Sequence, residues 1–111
     1  MSKLDTQGAQ TEFAQFLQQY PQSPLRATAM FWLGNAQFAN REYGPAIKSL
    51  QAMMLLEPAN EHVPFALFTV ASCYLGNKET KRARTLFQEV IDKYPGTQSA
   101  ALAKDRLAAF R

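Results

Sequence analysis

The chain has little with which to do chemistry. Among 111 residues there is one cysteine, one histidine and one tryptophan. Cys73 has no second thiol, which excludes an internal disulfide, and its neighbours Ala71, Tyr74 and Leu75 make it a small buried hydrophobe. His62 stands beside Glu61 in a polar linker; one imidazole and one carboxylate supply neither three zinc ligands nor a relay to a nucleophile, so it reads as a surface residue. No glycine-rich loop follows a strand pattern, and phosphate therefore has no cradle. No segment alternates with the two-residue period of a strand, which excludes a sheet as the organising element. No apolar run approaches the roughly 18 residues needed to cross a bilayer. These absences imply no catalytic residues, metal, cofactor or small-molecule substrate.

The opening eight residues, Met1 to Gly8, lack the apolar core of a signal peptide, consistent with a cytoplasmic start or with an excised domain behind a short leader at Met1–Lys3. The length suits one domain over 1–111, large enough for a continuous core. Charge is uneven: residues 78–111 hold eight Lys/Arg against four acids, a balance of +4, and the first 77 carry −1. Lys78, Lys81, Arg82 and Arg84 spread around more than half a helical turn without interleaved aromatics, which argues against a nucleic-acid interface and for a solvated face.

What the sequence does contain is a period. Tyr20-Pro21-Gln22-Ser23, Glu57-Pro58-Ala59-Asn60 and Tyr94-Pro95-Gly96-Thr97 recur every 37 residues. Shifted by 37, Phe13, Leu50 and Phe87 coincide, as do Phe16, Met53 and Val90, then Leu17, Met54 and Ile91. Ala29 falls on Ala66 and Ala103, Leu33 on Val70 and Leu107, Gly34 on Ala71 and Ala108, Ala46 on Ala83. A fixed period of this length marks stacked supersecondary units. Polar breaks at Asn40-Arg41-Glu42 and Gly76-Asn77-Lys78-Glu79 split each unit into two helical patterns. The expected helices are 5–20, 24–40, 43–57, 61–76, 79–94 and 98–110, an all-α stack of helical hairpins. Ser23 and Thr97 are expected as N-caps, and Gly76 as a left-handed C-cap.

Gly34 lies beside Trp32 in an otherwise helical stretch, where glycine costs about 1 kcal/mol relative to alanine. Helix axes approach to roughly 8–10 Å only where facing side chains are small. Gly34 with Ala46, and Ala71 with Ala83, are therefore expected as crossing pairs, and Gly34→Leu should split the hairpin.

Leu33-Gly34-Asn35-Ala36, Tyr43, Ala46-Ile47, Leu50 and Pro58, then Val70-Ala71, Tyr74, Ala83, Phe87 and Pro95, resemble the tetratricopeptide repeat. The resemblance implies a right-handed solenoid with a half repeat at 5–23, repeats at 27–60 and 64–97, and a closing helix at 98–110. More narrowly, Phe16–Ser23, Phe31–Ala39, Val90–Thr97 and Ala103–Leu107 resemble the C-terminal repeat domain of the CpoB family, the cell-division coordinators of the Tol–Pal system. That family implies a periplasmic, Gram-negative setting, with TolA and a bifunctional peptidoglycan synthase as partners. Its signal peptide and trimerising coiled coil are missing from this sequence, so the fragment is expected to be monomeric.

The first helix of each hairpin should line a concave surface. Helical spacing assigns to it Phe31, Trp32, Asn35 and Phe38 from one unit, Phe65, Phe68, Ser72 and Leu75 from the next, and Asp105 from the closing helix. Aromatic anchors on such a surface suit a protein or peptide ligand. The positions at which some tetratricopeptide domains clamp a free carboxylate hold Asn35 but no cation, so that mode is disfavoured. Two other readings compete: an outer-membrane assembly lipoprotein, which uses similar Tyr-Pro stops, and a basic nucleic-acid-associated module.

Overall fold

A computed structural model describes residues 3–110, with side chains from Thr6 onward; Met1, Ser2 and Arg111 lie outside it. Its elements are α1 (Lys3–Gln19), α2 (Arg26–Ala39), α3 (Tyr43–Leu56), α4 (Val63–Gly76), α5 (Thr80–Lys93) and α6 (Gln98–Ala108), with no strand among the described residues. Each helix packs on its neighbours in the chain. In addition α2 touches α4 and α4 touches α6, whereas α1, α3 and α5 do not touch one another. The row α2–α4–α6 is therefore the tight inner side of a curved stack.

The two hairpin turns are copies of one another. Arg41 and Lys78 adopt φ of 62° and 65°. Glu42 N–H donates to the Gln37 carbonyl at 2.8 Å and Arg41 N–H to that of Phe38 at 2.9 Å; Glu79 to Tyr74 and Lys78 to Leu75, both 2.9 Å, repeat the pattern. This is a Schellman ending, which satisfies carbonyls left open at the helix end. The left-handed residue is Lys78, not Gly76, which closes α4 in a helical conformation. Gly76 answers to a different constraint: a Cβ there would run into the ring of Tyr43 at the start of α3.

Gly34 is buried at a close approach, as its position demands, but the side chain facing it is not Ala46. A Cβ on Gly34 would lie 2.5 Å from Leu50 Cγ and 2.6 Å from Cδ2. Ala46 and Ala83 are also fully buried.

The helix starts differ between units for a local reason. Leu25 N–H donates to Ser23 Oγ at 3.1 Å, and His62 N–H to Asn60 Oδ1 at 2.8 Å. Each polar side chain is thus spent two residues on, and α2 and α4 begin at Arg26 and Val63 without a side-chain cap. At the third copy Thr97 Oγ1 accepts from Ala100 N–H at 3.1 Å, an N-cap in the usual sense, and α6 begins at once.

The core follows the 37-residue register. Leu50, Met53, Ala66, Phe87, Val90 and Ala103 are fully enclosed, whereas Phe13 and Phe16, their counterparts on α1, are only partly buried. Enclosing a side chain such as Leu50 or Phe87 contributes about 1.5–3 kcal/mol.

Candidate functional site

The inner row presents aromatic side chains in two depths. Phe31 is buried on α2, and the ring of His62 lies flat upon it, with centroids 4.4 Å apart and planes at 12°. Trp32 meets both edge-on, at 5.0 and 5.9 Å, and Phe65 meets Phe31 at 6.1 Å. Phe65 also stacks on Phe68, which is itself buried against Phe87 and has the Arg106 guanidinium 5.6 Å from its centroid. Trp32 and Phe65 remain 45% and 40% exposed. Two open rings are held on a base of closed ones, so little rotamer freedom is left to lose when a ligand covers them.

Of the other residues expected on the concave surface, Asn35 accepts from Thr69 Oγ1 at 3.3 Å, tying α2 to α4. Ser72 Oγ donates back to the Phe68 carbonyl of its own helix at 3.1 Å and is occupied there. Phe38 packs against Tyr43 at 5.9 Å, toward α3. Leu75 is partly buried in the second core cluster, and Asp105 is exposed on α6. The face thus gathers Trp32, Asn35 and Phe65; Phe31 and Phe68 support it from beneath; Phe38, Ser72 and Leu75 are engaged elsewhere, and Asp105 is exposed on α6.

Sequence reasoning missed two parts of this region. His62, read as an isolated surface residue, is half-buried among the rings, and Glu61 Oε1 lies 3.9 Å from its Nε2. The second part is a furrow between α1 and α2. A cavity of about 710 Å³ is lined by Thr6, Ala9 and Phe13 of α1 together with Trp32, Asn35 and Ala39 of α2. A second, about 340 Å³ and almost wholly apolar, continues it past Phe13, Phe16, Leu25, Thr28 and Trp32. A polar chain closes one end: Asn40 Nδ2 donates to Gln10 Oε1 at 2.8 Å, and Gln10 Nε2 to Glu42 Oε1 at 3.3 Å. The signal for the furrow was present in the repeat, since Phe13 aligns with Leu50 and Phe87, both of which need a covering helix.

The basic stretch has structural employment. Arg82 lies 5.1 Å from the Tyr74 ring centroid and 3.4 Å from Glu79, and Arg84 lies over Phe110 at 5.2 Å. Cys73 is fully buried, and burial pushes its thiol up to about 12. Among the described residues no group of His, Cys, Asp and Glu is arranged to hold a metal, and no helix is long and apolar enough to cross a membrane.

Stacked hairpins with Schellman turns at a fixed period and an aromatic inner row define a helical-repeat interaction module. Tetratricopeptide repeat models match residues 2–60 and 65–97, and the chain belongs to that family, whose members are protein-interaction domains rather than catalysts. The chain is similar to the outer membrane protein assembly factor BamD of Xylella fastidiosa (strain 9a5c), 24% identical over 130 aligned positions that cover all of this chain and 44% of the relative. It is also similar to BamD of Caulobacter vibrioides, 25% identical over 100 positions, covering 83% of this chain and 33% of the relative. The chain therefore spans less than half the length of these relatives.

Proposed function

We propose that this chain is a non-catalytic scaffold that holds a segment of a partner protein against the α2–α4–α6 row, with Trp32 and Phe65 as anchors and Asn35 as a hydrogen-bonding group beside them. The observation that carries the reading is the pair of open rings fixed on Phe31, His62 and Phe68. Large aromatics in rigid surroundings are the residues on which binding energy concentrates. Similarity to outer-membrane assembly factors supports a periplasmic setting and a partner among outer-membrane proteins or the machinery that assembles them.

A Tol–Pal role, with TolA and a peptidoglycan synthase as partners, is the second reading, favoured by Phe16–Ser23 and Val90–Thr97 as they stand in the sequence. Calorimetric titration with an unfolded outer-membrane β-barrel protein, and separately with the C-terminal domain of TolA, distinguishes the two. Whichever binds should lose about 10-fold or more in affinity with Trp32→Ala while helicity is kept. Unchanged affinity in that variant would remove the aromatic face from the account. Binding of single-stranded nucleic acid with an affinity that falls steeply with salt would instead favour a nucleic-acid partner.

A further inference from the structure

Phe31 is the floor of the open face, and three rings meet it: Trp32 at 5.0 Å, Phe65 at 6.1 Å and, lying flat upon it, His62 at 4.4 Å. Of the three only His62 can change its charge. Imidazole is the side chain that ordinarily gains or loses its proton between pH 5 and 8, so one placed among aromatic anchors can make their surface answer to pH.

The linker before α4 holds the ring in place. His62 N–H donates to Asn60 Oδ1 at 2.8 Å, and the His62 carbonyl accepts from Ala66 N–H at 2.9 Å, so both backbone groups are taken. The side chain keeps 30% of its surface open, beside Trp32, whose ring lies 5.9 Å away. Charge is scarce around it. α2 has one charged residue, Arg26, whose guanidinium donates to the Pro21 carbonyl and to Gln22, and α4 has none. α3 has Lys48, early in the helix, and Glu57 at its C-cap, which accepts from Asn60 Nδ2 at 3.0 Å. From α1, Glu12 is exposed and lines the furrow with Trp32; from α6, Arg106 lies over Phe68. Among the described residues the acid within ion-pair reach is Glu61, 3.9 Å from Nε2 but 88% exposed, where water screens the pair.

While the face is open, a protonated imidazole keeps water on one side and the attraction of the Phe31 π face on the other. A partner that lays apolar side chains across Trp32 and Phe65 closes the water side and offers no acceptor in return. A neutral ring loses little by this, whereas an imidazolium loses solvation that nothing around it replaces. We propose, resting on the docking face described above, that His62 makes that face proton-sensitive: it holds an apolar partner segment with the imidazole neutral and releases it as the pH falls from 8 to 5. Since the bound state favours the neutral ring, acid draws the chain toward its free, protonated form.

Affinity is measured by calorimetry at pH 8 and pH 5, at one ionic strength, for the unfolded outer-membrane β-barrel protein and for the C-terminal domain of TolA. The polypeptide that binds should do so about 10-fold more weakly at pH 5. In His62→Phe, whose fold is checked by circular dichroism, the two affinities should agree within about twofold, which removes titration of the probe itself as the cause. Glu61→Gln should keep the difference. In the free chain, Trp32 emission should dim from pH 8 to pH 5, because an imidazolium quenches a neighbouring indole, and should stay level in His62→Phe. Equal affinity at both pH values, tighter binding at pH 5, a difference that survives in His62→Phe or vanishes in Glu61→Gln, or level emission in the unaltered chain each overturns the proposal. Trp32→Ala at pH 8 separates the two readings. Weaker binding there beside a flat pH response leaves the docking face and removes its proton sensitivity. Unchanged binding there, or binding of neither polypeptide, removes the face and the role of His62 with it.

Discussion

Replacing Gly34 by alanine sets two effects of known size against each other. Alanine in a helix interior is favoured over glycine by about 1 kcal/mol, and taken alone this stabilises α2. Against it stands Leu50, whose Cγ and Cδ2 would lie 2.5 and 2.6 Å from the new methyl, roughly an ångström inside ordinary contact. Leu50 is wholly enclosed, and its branched end has nowhere to swing without moving its neighbours. Overpacking of this kind costs about 1–3 kcal/mol. The cost exceeds the gain, and Gly34→Ala should lower stability by about 1 kcal/mol, a fall in Tm of about 4 °C for a domain of this size. Gly34→Leu should cost several times more. Urea unfolding followed by circular dichroism reads the change, and a double-mutant cycle with Leu50→Ala tests its cause. Leu50→Ala alone should cost about 2–5 kcal/mol, and the pair should be less destabilised than the sum by about 1 kcal/mol, because the added methyl enters the space vacated. Stability rising by the helix-propensity amount in Gly34→Ala would refute the close approach.

The second unit offers the same test at its turn: Gly76→Ala would drive a methyl into the Tyr43 ring, so it should destabilise, and Tyr43→Ala should relieve it, both read by thermal melts. Arg41→Gly and Lys78→Gly should each stabilise by about 1 kcal/mol in denaturant titrations, because the left-handed conformation that strains these side chains is open to glycine. Among the described caps, those of α2 to α6, Thr97→Ala removes the one made by a side chain, and it should cost about 1 kcal/mol by the same measurement. Cys73 should resist iodoacetamide in the native protein and react on unfolding. Since the folded thiol keeps its proton to about 12 while an unfolded one loses it near 9, its contribution to stability should decline as pH rises through that interval, and Cys73→Ser should flatten the decline.

Those outcomes bear on how far the residues alone specified the molecule. The hairpin stack was legible because it rests on signals that repeat locally: prolines 37 apart, polar breaks, and small residues in register with large ones. The helix starts expected at 24 and 61 fall two residues early, because the side chains of Ser23 and Asn60 each accept from the N–H two residues on, a choice set by the loop around them. Gly76 was misread since its reason, the ring of Tyr43, lies 33 residues away in the chain. The site was legible in composition but not in depth. Trp32 and Phe31 are adjacent and equally aromatic, yet α4 and its preceding turn cover one and leave the other open. His62 carried no local sign of its place, because a lone imidazole gains meaning only from the Phe31 face that the fold brings beneath it.

Partner binding on the inner row of the stack can be read from amide and indole chemical shifts, recorded while an isotopically labelled chain is titrated with its partner. The largest changes should cluster at the Trp32 indole N–H, Asn35, His62 and Phe65. Changes concentrated instead on α5, around Lys81 to Gln88, would contradict it.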